Sequence, residues 1–288
     1  MGKPIVYMTK DISPKGLVKI YEALAPELPG NLAVKLHTGE PGGNNYLKPA
    51  LISDLIKKVN GTIIEANTAY NGRRYSTADH YEVAKEHGFT DIANVDIIDG
   101  EGELTLSIPN GKWLKENYVG ADLEKYESIL VLSHFKGHAM GGFGGAVKNI
   151  SIGIASGKGK AWIHSAGTSF TDFWNTPQDD FLESMAEAAK SVTEYCKNMA
   201  YINVMNNLSV SCDCESNPEP PCMADVGIFA SLDPVAVDKA CVDHVYNSPD
   251  ENKAKLIERI ETRHGTHTLD YAEEIGLGSK DYELVCID

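Results

Sequence analysis

Histidines, a lysine and a run of glycines stand close together in the middle of the chain, in residues 133–164. The ionisable candidates in this stretch are His134, His138, Lys148 and His164. Glycines let the backbone approach a ligand closely, and a strand, a glycine turn and a helix start together point backbone N–H groups at an anion. A lysine adds a full positive charge, and histidines bind metals or move protons near neutral pH. The stretch predicts an anion-binding loop, and a glycine loop that only makes a tight turn is the alternative.

Roles within this loop follow from side-chain chemistry. His138 is the predicted general acid or base, because an unperturbed imidazole has a pKa of about 6.5. Lys148 is the second predicted catalytic group, and with Asn149 and the loop glycines it is predicted to hold the anion. The glycines predicted to contact the ligand are Gly141, Gly142, Gly144 and Gly145.

A second chemical stretch, residues 212–222, reads CDCESNPEPPC. The C-x-C spacing of Cys212 and Cys214 puts two thiolates within reach of one soft metal ion, and Cys222 is a candidate third ligand. Two cysteines do not close a site, so further ligands are needed from elsewhere; His164, His138 and His134 are the candidates, and His164 is the one that we assign to the metal. The predicted metal is iron, nickel or zinc. A thiol pair that serves as a redox switch is the alternative.

Polar side chains also follow a predicted strand at residues 62–66. They are Glu65, Asn67, Tyr70, Arg73, Arg74, Thr77 and His80. Ligands of parallel sheets bind beyond the carboxyl ends of the strands. We therefore predict Glu65 as a catalytic group and Arg73 and Arg74 as a clamp for a carboxylate or phosphate. A solvated loop followed by a helix is an equally weighted alternative.

Composition and absent motifs argue against several classes of protein. The formal charge is −15, from 26 Lys and Arg against 41 Asp and Glu, which disfavours a nucleic-acid partner. No apolar run has the length of a membrane span and no signal peptide is visible, so we predict a cytoplasmic protein without a membrane partner. The glycine run is not G-x-G-x-x-G, so NAD is not predicted. The C-x-x-C-x-x-C run of a ferredoxin-type cluster is also absent.

The alternation of strand and helix patterns predicts an α/β fold. The expected architecture is a mainly parallel twisted sheet with helices on both faces and some antiparallel excursions. Residues 103–108 alternate polar and apolar side chains, which predicts one arm of such an excursion. Residues 111–118 are predicted to be helical and residues 162–174 to form a loop. We expect a single α/β unit over residues 1–288. An arrangement of two lobes around a central cleft is an alternative.

Three motifs together resemble the bacterial domain-of-unknown-function family 362, over about residues 35–246. They are KGHAMGGFGGAVKN at 136–149, CDC at 212–214 and DVGIFASLDPVA at 225–236. Members of that family often carry an inserted ferredoxin module and are then described as iron–sulfur proteins. This sequence has no such insert, so the resemblance implies no ferredoxin-type cluster here.

The spacing of His138, Lys148 and His164 also resembles the core motif of the nickel-pincer lactate racemases. That resemblance implies acid–base chemistry at the first histidine, a pincer nucleotide held by the lysine, and nickel bound by the later histidine. The racemase has a further N-terminal histidine motif without a clear match here, and His80 is the candidate to stand in for it. The racemase has no Cys-Asp-Cys, so the resemblance concerns the loop architecture.

The loops after Glu65, Ser133 and Cys212 are expected to converge on one cleft. The leading hypothesis is a metal-dependent enzyme that acts on a small anionic organic molecule by redox or isomerase chemistry. One alternative is a non-catalytic metal or iron–sulfur module that relays electrons to a redox partner. Another is a regulatory protein that binds an anion. A homodimer is left open.

Overall fold

A central sheet of eight strands, seen in a computed structural model that describes residues 2–288, organises the chain. The strands in chain order are β1 (Ile5–Thr9), β2 (Leu32–Lys35), β3 (Thr62–Glu65), β4 (Val95–Ile97), β5 (Glu103–Ser107), β6 (Glu116–Gly120), β7 (Ser128–His134), β8 (Lys136–His138), β9 (Gly142–Gly144), β10 (Asn198–Met205), β11 (Gly227–Ser231) and β12 (Glu283–Cys286). The sheet order is β12-β1-β11-β10-β7-β2-β3-β4, and β5–β6 and β8–β9 form two small separate sheets. Only β11 runs antiparallel to its neighbours in the large sheet, so the predicted mainly parallel sheet is confirmed.

Helices cover both faces of the large sheet. They are α1 (Pro14–Leu24), α2 (Pro49–Val59), α3 (Thr77–Glu86), α4 (Ala146–Ser151), α5 (Gly157–His164), α6 (Gln178–Tyr195), α7 (Pro234–Asn247), α8 (Ala254–Thr262) and α9 (His267–Glu274). Successive side chains of a strand point to opposite faces. Leu130 and Leu132 of β7 accordingly share a core with α1 and α2, whereas Ile129 and Val131 pack with α4, α6 and α7. None of the helices within residues 2–288 is both long and apolar enough to cross a bilayer.

Two local predictions differ from the structure. Residues 103–107 do form one arm of an antiparallel hairpin, but its second arm is β6, so the helical prediction for residues 111–118 was wrong. Pairing with β5 outweighs the local pattern, and the alternate residues Asn117 and Val119 are buried against the rest of the molecule. The loop prediction for residues 162–174 was wrong over its first three residues, because α5 continues to His164.

The glycines of α5 explain why a helix there is hard to predict. Ser156 caps the helix, and its side chain accepts a hydrogen bond from Gly159 N. A β-carbon at residue 159 would lie 1.9 Å from the carbonyl oxygen of Tyr118. Gly159 is therefore required by close packing of α5 on β6. In the sequence it looks like a helix breaker.

The strand order reverses between β2 and β7. From β2 the chain builds β3 and β4 on one side, and then returns to add β7 and β10 on the other. In open α/β sheets such a reversal leaves a crevice at the carboxyl ends of the strands, where ligands bind. Lys35 ends β2, and Ser133 and His134 end β7, so these residues mark the position of the crevice.

Candidate functional site

A cavity of about 310 Å³ occupies this crevice. The loops after Glu65, Ser133 and Cys212 all contribute to its lining. Ten of the fourteen residues proposed from the sequence lie on its walls: Glu65, Arg74, His138, Gly144, Gly145, Lys148, Asn149, His164, Cys212 and Cys214. The cavity has two chemically different sides, described in turn below.

One side, which we name the paired wall, consists of the cavity-lining residues Lys35, Glu65 and Arg74, together with Glu40, which pairs with Arg74. The buried Lys35 Nζ lies 2.9 Å from Glu65 Oε2, and Thr38 N donates to Glu65 Oε1 at 3.0 Å. Arg74 donates from Nε to Glu40 at 2.8 Å and lies 3.7 Å from Glu65. Burial raises the pKa of Glu65, but Lys35 and the neighbouring cations outweigh it and hold that pKa well below its usual range. In this structure Glu65 is the counter-ion of the buried Lys35 and Arg74, and its catalytic role stays a prediction.

The opposite side, which we name the open wall, consists of His138, Lys148, His164, Cys212 and Cys214. The two sulfur atoms lie 2.6 Å apart, and Cys214 N also donates to Cys212 Sγ at 3.3 Å. The hydrogen bond from the Cys214 thiol, with His138 and Lys148 nearby, lowers the pKa of Cys212 well below its ordinary value. The same contact raises the pKa of Cys214. These opposite shifts favour the thiolate form at Cys212 and the thiol form at Cys214.

The residue between the two cysteines fixes their loop. Asp213 is buried and forms an ion pair with Lys136, and its carboxylate lies 3.1 Å from His134 Nδ1. These contacts hold the pKa of Asp213 far below its usual range in spite of its burial. Asp213 lines the cavity between Cys212 and Cys214, and its contacts with Lys136 and His134 hold in place the loop that carries both sulfur atoms.

His138 is held as a hydrogen-bond donor. Its Nδ1 accepts from Met140 N at 3.1 Å and from Gly141 N at 2.9 Å, so the proton of the neutral ring resides on Nε2. Burial and the charge of Lys148 lower the pKa of the ring, which keeps it neutral at physiological pH. A ligand nitrogen of His138 and the two cysteine sulfurs all lie within 4.8 Å of one another. A neutral imidazole of this kind can donate to a thiolate or polarise a carbonyl oxygen.

His164 has the opposite tautomer. Its Nδ1 donates to the carbonyl of Lys160 at 2.7 Å, and its ring stacks on Phe181 with centroids 4.8 Å apart. The lone pair of the neutral ring is therefore on Nε2. Burial lowers the pKa of His164 to about 3. Within the described residues, the histidine that lies close to Cys212 and Cys214 as a possible metal ligand is His138. His164, the histidine assigned to the metal from the sequence, is not in that group.

The glycine loop places Lys148 on the cavity wall. The N–H groups at the start of the helix that follows the loop bind a carboxylate from another part of the chain. Ala146 N and Val147 N, at the start of α4, donate to the carboxylate of Asp238 on α7 at 2.6 and 3.0 Å. A β-carbon at Gly145 would lie 2.2 Å from that carboxylate, which is why glycine is needed there. The backbone donors expected to face a ligand are thus used internally. Between residues 2 and 288, Lys148 has no carboxylate in ion-pair contact, so its ammonium remains for an external anion.

Asn149 joins the two sides of the crevice. Its side-chain nitrogen donates to Ser133 Oγ at 3.0 Å and to the carbonyl of Lys35 at 3.3 Å. It therefore links the ends of β7 and β2 at the point where the strand order reverses. This contact positions the cavity wall, whereas the sequence suggested direct contact with the anion.

Four of the proposed residues lie away from the cavity lining. Arg73 is exposed and pairs with Glu86, with an N–O distance of 2.6 Å. Gly141 and Gly142 lie behind His138, where a β-carbon on Gly142 would come within 2.9 Å of Gly265 Cα. Cys222 is half-buried against the hydrophobic core, and it is not in the close group of His138, Cys212 and Cys214.

Several cavity residues were not singled out from the sequence. Lys35 and His37 follow β2 at the same sheet edge as Glu65, so the rule that located Glu65 also applies to them. Burial lowers the pKa of His37 to about 3. Lys160, on α5, donates to the carbonyl of Ala155 at 2.5 Å, and burial lowers its pKa to about 7. No local pattern marks Lys160, because its burial depends on how α5 packs.

Two solved structures are similar to the chain. One is a lactate racemase apoprotein from Thermoanaerobacterium thermosaccharolyticum, at 16% identity and a TM-score of 0.44, covering 69% of this chain and 50% of that chain. The other is a structural-genomics protein from Thermotoga maritima, at 17% identity and a TM-score of 0.46, covering 80% of this chain and 57% of that chain. The chain thus spans little more than half the length of either protein. No curated protein matches it.

A protein family matches most of the chain. The match is to the family described as Domain of unknown function (DUF362), and it spans residues 32–243. This range contains both cysteines of the open wall, the glycine loop and Asp238. The resemblance inferred from the three sequence motifs is therefore confirmed, and the chain belongs to the DUF362 family.

Proposed function

We propose that the chain is a metal-dependent enzyme whose cavity binds a small organic anion and performs redox or isomerase chemistry on it. One observation carries the proposal. A ligand nitrogen of His138 and the sulfur atoms of Cys212 and Cys214 lie within 4.8 Å of one another on the wall of a cavity that also contains Lys148, a lysine without a carboxylate partner within residues 2–288. Perturbed ionisable groups that converge in a cleft are characteristic of catalytic sites.

The donor set fits a soft metal ion. The hydrogen-bonded contact between Cys214 and Cys212 brings two sulfur ligands together, and a cation that replaces the thiol proton would be bound by two thiolates. Iron, nickel and zinc all accept such ligands. A bound ion would supply Lewis-acid or redox chemistry at the cavity wall. Two thiolates leave coordination positions open, which is the feature that separates catalytic from structural sites.

The protein side chains supply binding and orientation. The Lys148 ammonium is the group that would bind the carboxylate of the ligand. His138 Nε2–H would donate to an oxygen of the ligand, and His164 Nε2 would accept a hydrogen bond or complete the metal ligands. The apolar side chains of Met140 and Phe173 also line the cavity and would exclude water from the bound molecule.

The depth of the cysteine pair favours an enzyme over an electron-relay module. Cys212 has an exposed fraction of 7%, whereas a site that passes electrons to a partner protein lies close to the surface. The thiols also require a reducing compartment, which agrees with the cytoplasmic location predicted from the sequence.

The metal is tested by elemental analysis of untagged protein purified without oxygen. We expect close to one iron, nickel or zinc per chain, with most of it lost in Cys212→Ser and Cys214→Ser. Cys286→Ser is the matched control, because Cys286 is exposed on the edge strand β12, and its metal content should equal that of the wild type. Wild-type metal content in both cavity variants would refute the proposed metal site.

The anion site is tested with lactate and pyruvate, a hydroxy acid and its keto acid, as small carboxylate probes. Titration calorimetry should show binding that weakens at least about tenfold in Lys148→Met, since a charge-assisted hydrogen bond contributes roughly 1.5–3 kcal/mol. Equal affinity of the two proteins for a probe that binds would remove Lys148 from the proposed role. Racemisation of one lactate enantiomer, measured by chiral chromatography, would indicate isomerase chemistry, whereas formation of pyruvate from lactate with an added two-electron acceptor dye would indicate redox chemistry.

A further inference from the structure

A second cluster of metal-binding side chains lies on the surface, outside the cavity lining. It consists of Asp179 in the first turn of α6, His264 in the turn between α8 and α9, and His267 at the first position of α9. A ligand atom of each residue lies within 4.8 Å of the others. Side-chain exposed fractions of 49% for Asp179 and 58% for His264 leave the cluster open to ions in solution. We propose that this cluster binds a divalent transition-metal ion of the zinc class.

The hydrogen bonds of the cluster prepare its ligand atoms. His264 Nδ1 lies 2.7 Å from Asp179 Oδ1, so one proton is shared at the position that a cation would take. His267 Nε2 lies 3.0 Å from Glu183 Oε1, and donation from Nε2 leaves the Nδ1 lone pair free. A histidine that donates one ring N–H to a carboxylate while its other nitrogen binds metal is a recurring arrangement in metal sites. Glu183 is itself fixed by Lys112 Nζ and Trp113 Nε1, at 2.6 and 2.7 Å.

Metal binding requires the three side chains to adjust, because their ligand atoms are known to lie within 4.8 Å of one another. Tetrahedral zinc with bonds of about 2.0–2.2 Å separates its ligand atoms by roughly 3.3 Å, so the contact between His264 and Asp179 must open by a few tenths of an ångström. The two histidine rings are stacked, with centroids 4.9 Å apart. A metal lies in the plane of each ring that binds it, so one ring must turn about χ2, a soft torsion for histidine.

The donor atoms identify the class of ion. Two imidazole nitrogens and one carboxylate oxygen suit Zn²⁺, Co²⁺, Ni²⁺ and Cu²⁺, whereas Mg²⁺ and Ca²⁺ prefer sites made of oxygen alone. Thiolates play no part here, so this site differs in chemistry from the proposed cysteine site in the cavity. The two sites can therefore be measured separately.

An ion at this position would fasten α6 to the turn after α8. Gln178, next to Asp179, already bridges these parts, because its Nε2 donates to the carbonyls of Met140 and Arg263 at 2.7 and 2.8 Å. Met140 belongs to the turn whose N–H groups hold His138 Nδ1. The metal would thus stabilise the segment that supports His138, and binding of the ion should raise the melting temperature.

The test uses Co²⁺ and untagged full-length protein with Cys212→Ser and Cys214→Ser, which removes the thiolate ligands of the cavity. We expect about one Co²⁺ per chain, with visible d–d absorption and no sulfur-to-cobalt charge-transfer band. Adding His264→Gln with His267→Gln, or Asp179→Asn alone, should weaken binding at least about tenfold. Asp180→Asn removes the same charge from the neighbouring position and should leave the affinity unchanged.

Two results would overturn the site. One is failure of the protein with Cys212→Ser and Cys214→Ser to bind Co²⁺. The other is unchanged affinity in both the double-histidine variant and Asp179→Asn. A charge-transfer band in the wild-type protein reports on the cavity cysteines alone, so its absence would count against the proposed function and leave the surface site intact.

Discussion

Both walls of the cavity contain ionisable side chains, and they differ in whether the charged groups form ion pairs with each other. On the paired wall, Glu65 and Glu40 neutralise Lys35 and Arg74 through direct contacts. On the open wall, Lys148 lines the cavity without a carboxylate partner among the described residues, and its positive charge helps to lower the pKa of Cys212. A buried charge that already has its partner stabilises the fold, whereas an unpartnered charge on a cavity wall is available to a ligand.

This contrast changes how the candidate residues are ranked. A carboxylate at the end of a buried strand, such as Glu65, looks catalytic from its position alone. Its contacts instead identify Glu65 as the counter-ion of Lys35 and Arg74. Cys212 is ranked higher because its surroundings lower its pKa and favour the thiolate, and Lys148 is ranked higher because it lines the cavity without a carboxylate partner among the described residues. The variants below test the contrast, from the largest expected effect to the smallest.

Glu65→Gln should have the largest effect on stability. It leaves Lys35 and Arg74 buried without their shared counter-ion, and breaking a buried ion pair typically lowers the free energy of unfolding by about 3–5 kcal/mol. Urea denaturation measures this change. Lys148→Met is the matched control on the open wall and should change stability by less than about 1 kcal/mol. Equal losses in the two variants would abolish the distinction between the walls.

Asp238→Asn should have an intermediate effect, because Asn cannot accept the hydrogen bonds from both Ala146 N and Val147 N. The expected loss is about 1–3 kcal/mol of unfolding free energy, together with a less ordered α4.

The pH dependence of the Asp238→Asn effect has a definite sign. Burial raises the pKa of Asp238 to about 6, above the ordinary value of about 3.9. Its contribution to stability is therefore fully present below the unfolded pKa and is lost as the pH rises through the folded pKa. The difference in stability between wild type and variant should shrink from pH 4 to pH 7. A difference that grows over this range would contradict the assignment.

The thiolate of Cys212 can be measured by alkylation of reduced, metal-free protein with iodoacetamide, read at each cysteine by mass spectrometry. The rate at Cys212 should stay high at pH values below the ordinary thiol pKa of about 8.5. Cys214→Ala should shift the midpoint to higher pH, and Lys148→Met should shift it in the same direction by less, following the order of their contributions. A wild-type midpoint at the ordinary value would show that the open wall does not stabilise a thiolate.

Arg73→Gln should have the smallest effect. Arg73 lies outside the cavity and pairs with Glu86 at the surface, and exposed ion pairs contribute little to stability. We expect unchanged probe binding and unchanged denaturation. Weaker carboxylate binding in this variant would restore the arginine clamp that the sequence suggested.

Much of the fold could be predicted because it depends on local patterns. Ser13–Pro14 and Asp233–Pro234 begin α1 and α7 as their capping residues indicate. The hairpin strand β6 and the helix α5 were missed because their local propensities are overruled by partners far away in the sequence. Val119 pairs with Leu104, and Gly159 is dictated by the approach of Tyr118.

By itself, the sequence determined the α/β class, the family and which segments carry reactive side chains, because periodicity, capping and short motifs are properties of neighbouring residues. Only the tertiary structure decided which of those side chains pair with each other or with the backbone. Asp238 Oδ1 accepts a hydrogen bond from Ala146 N at the start of α4, 92 positions earlier in the chain. No local sequence pattern predicts that contact. The tautomers of His138 and His164 were likewise decided by backbone groups brought to them by folding. Protonation and charge pairing depend on three-dimensional neighbours and on burial, and for that reason the chemistry of the site became specific only in the folded molecule.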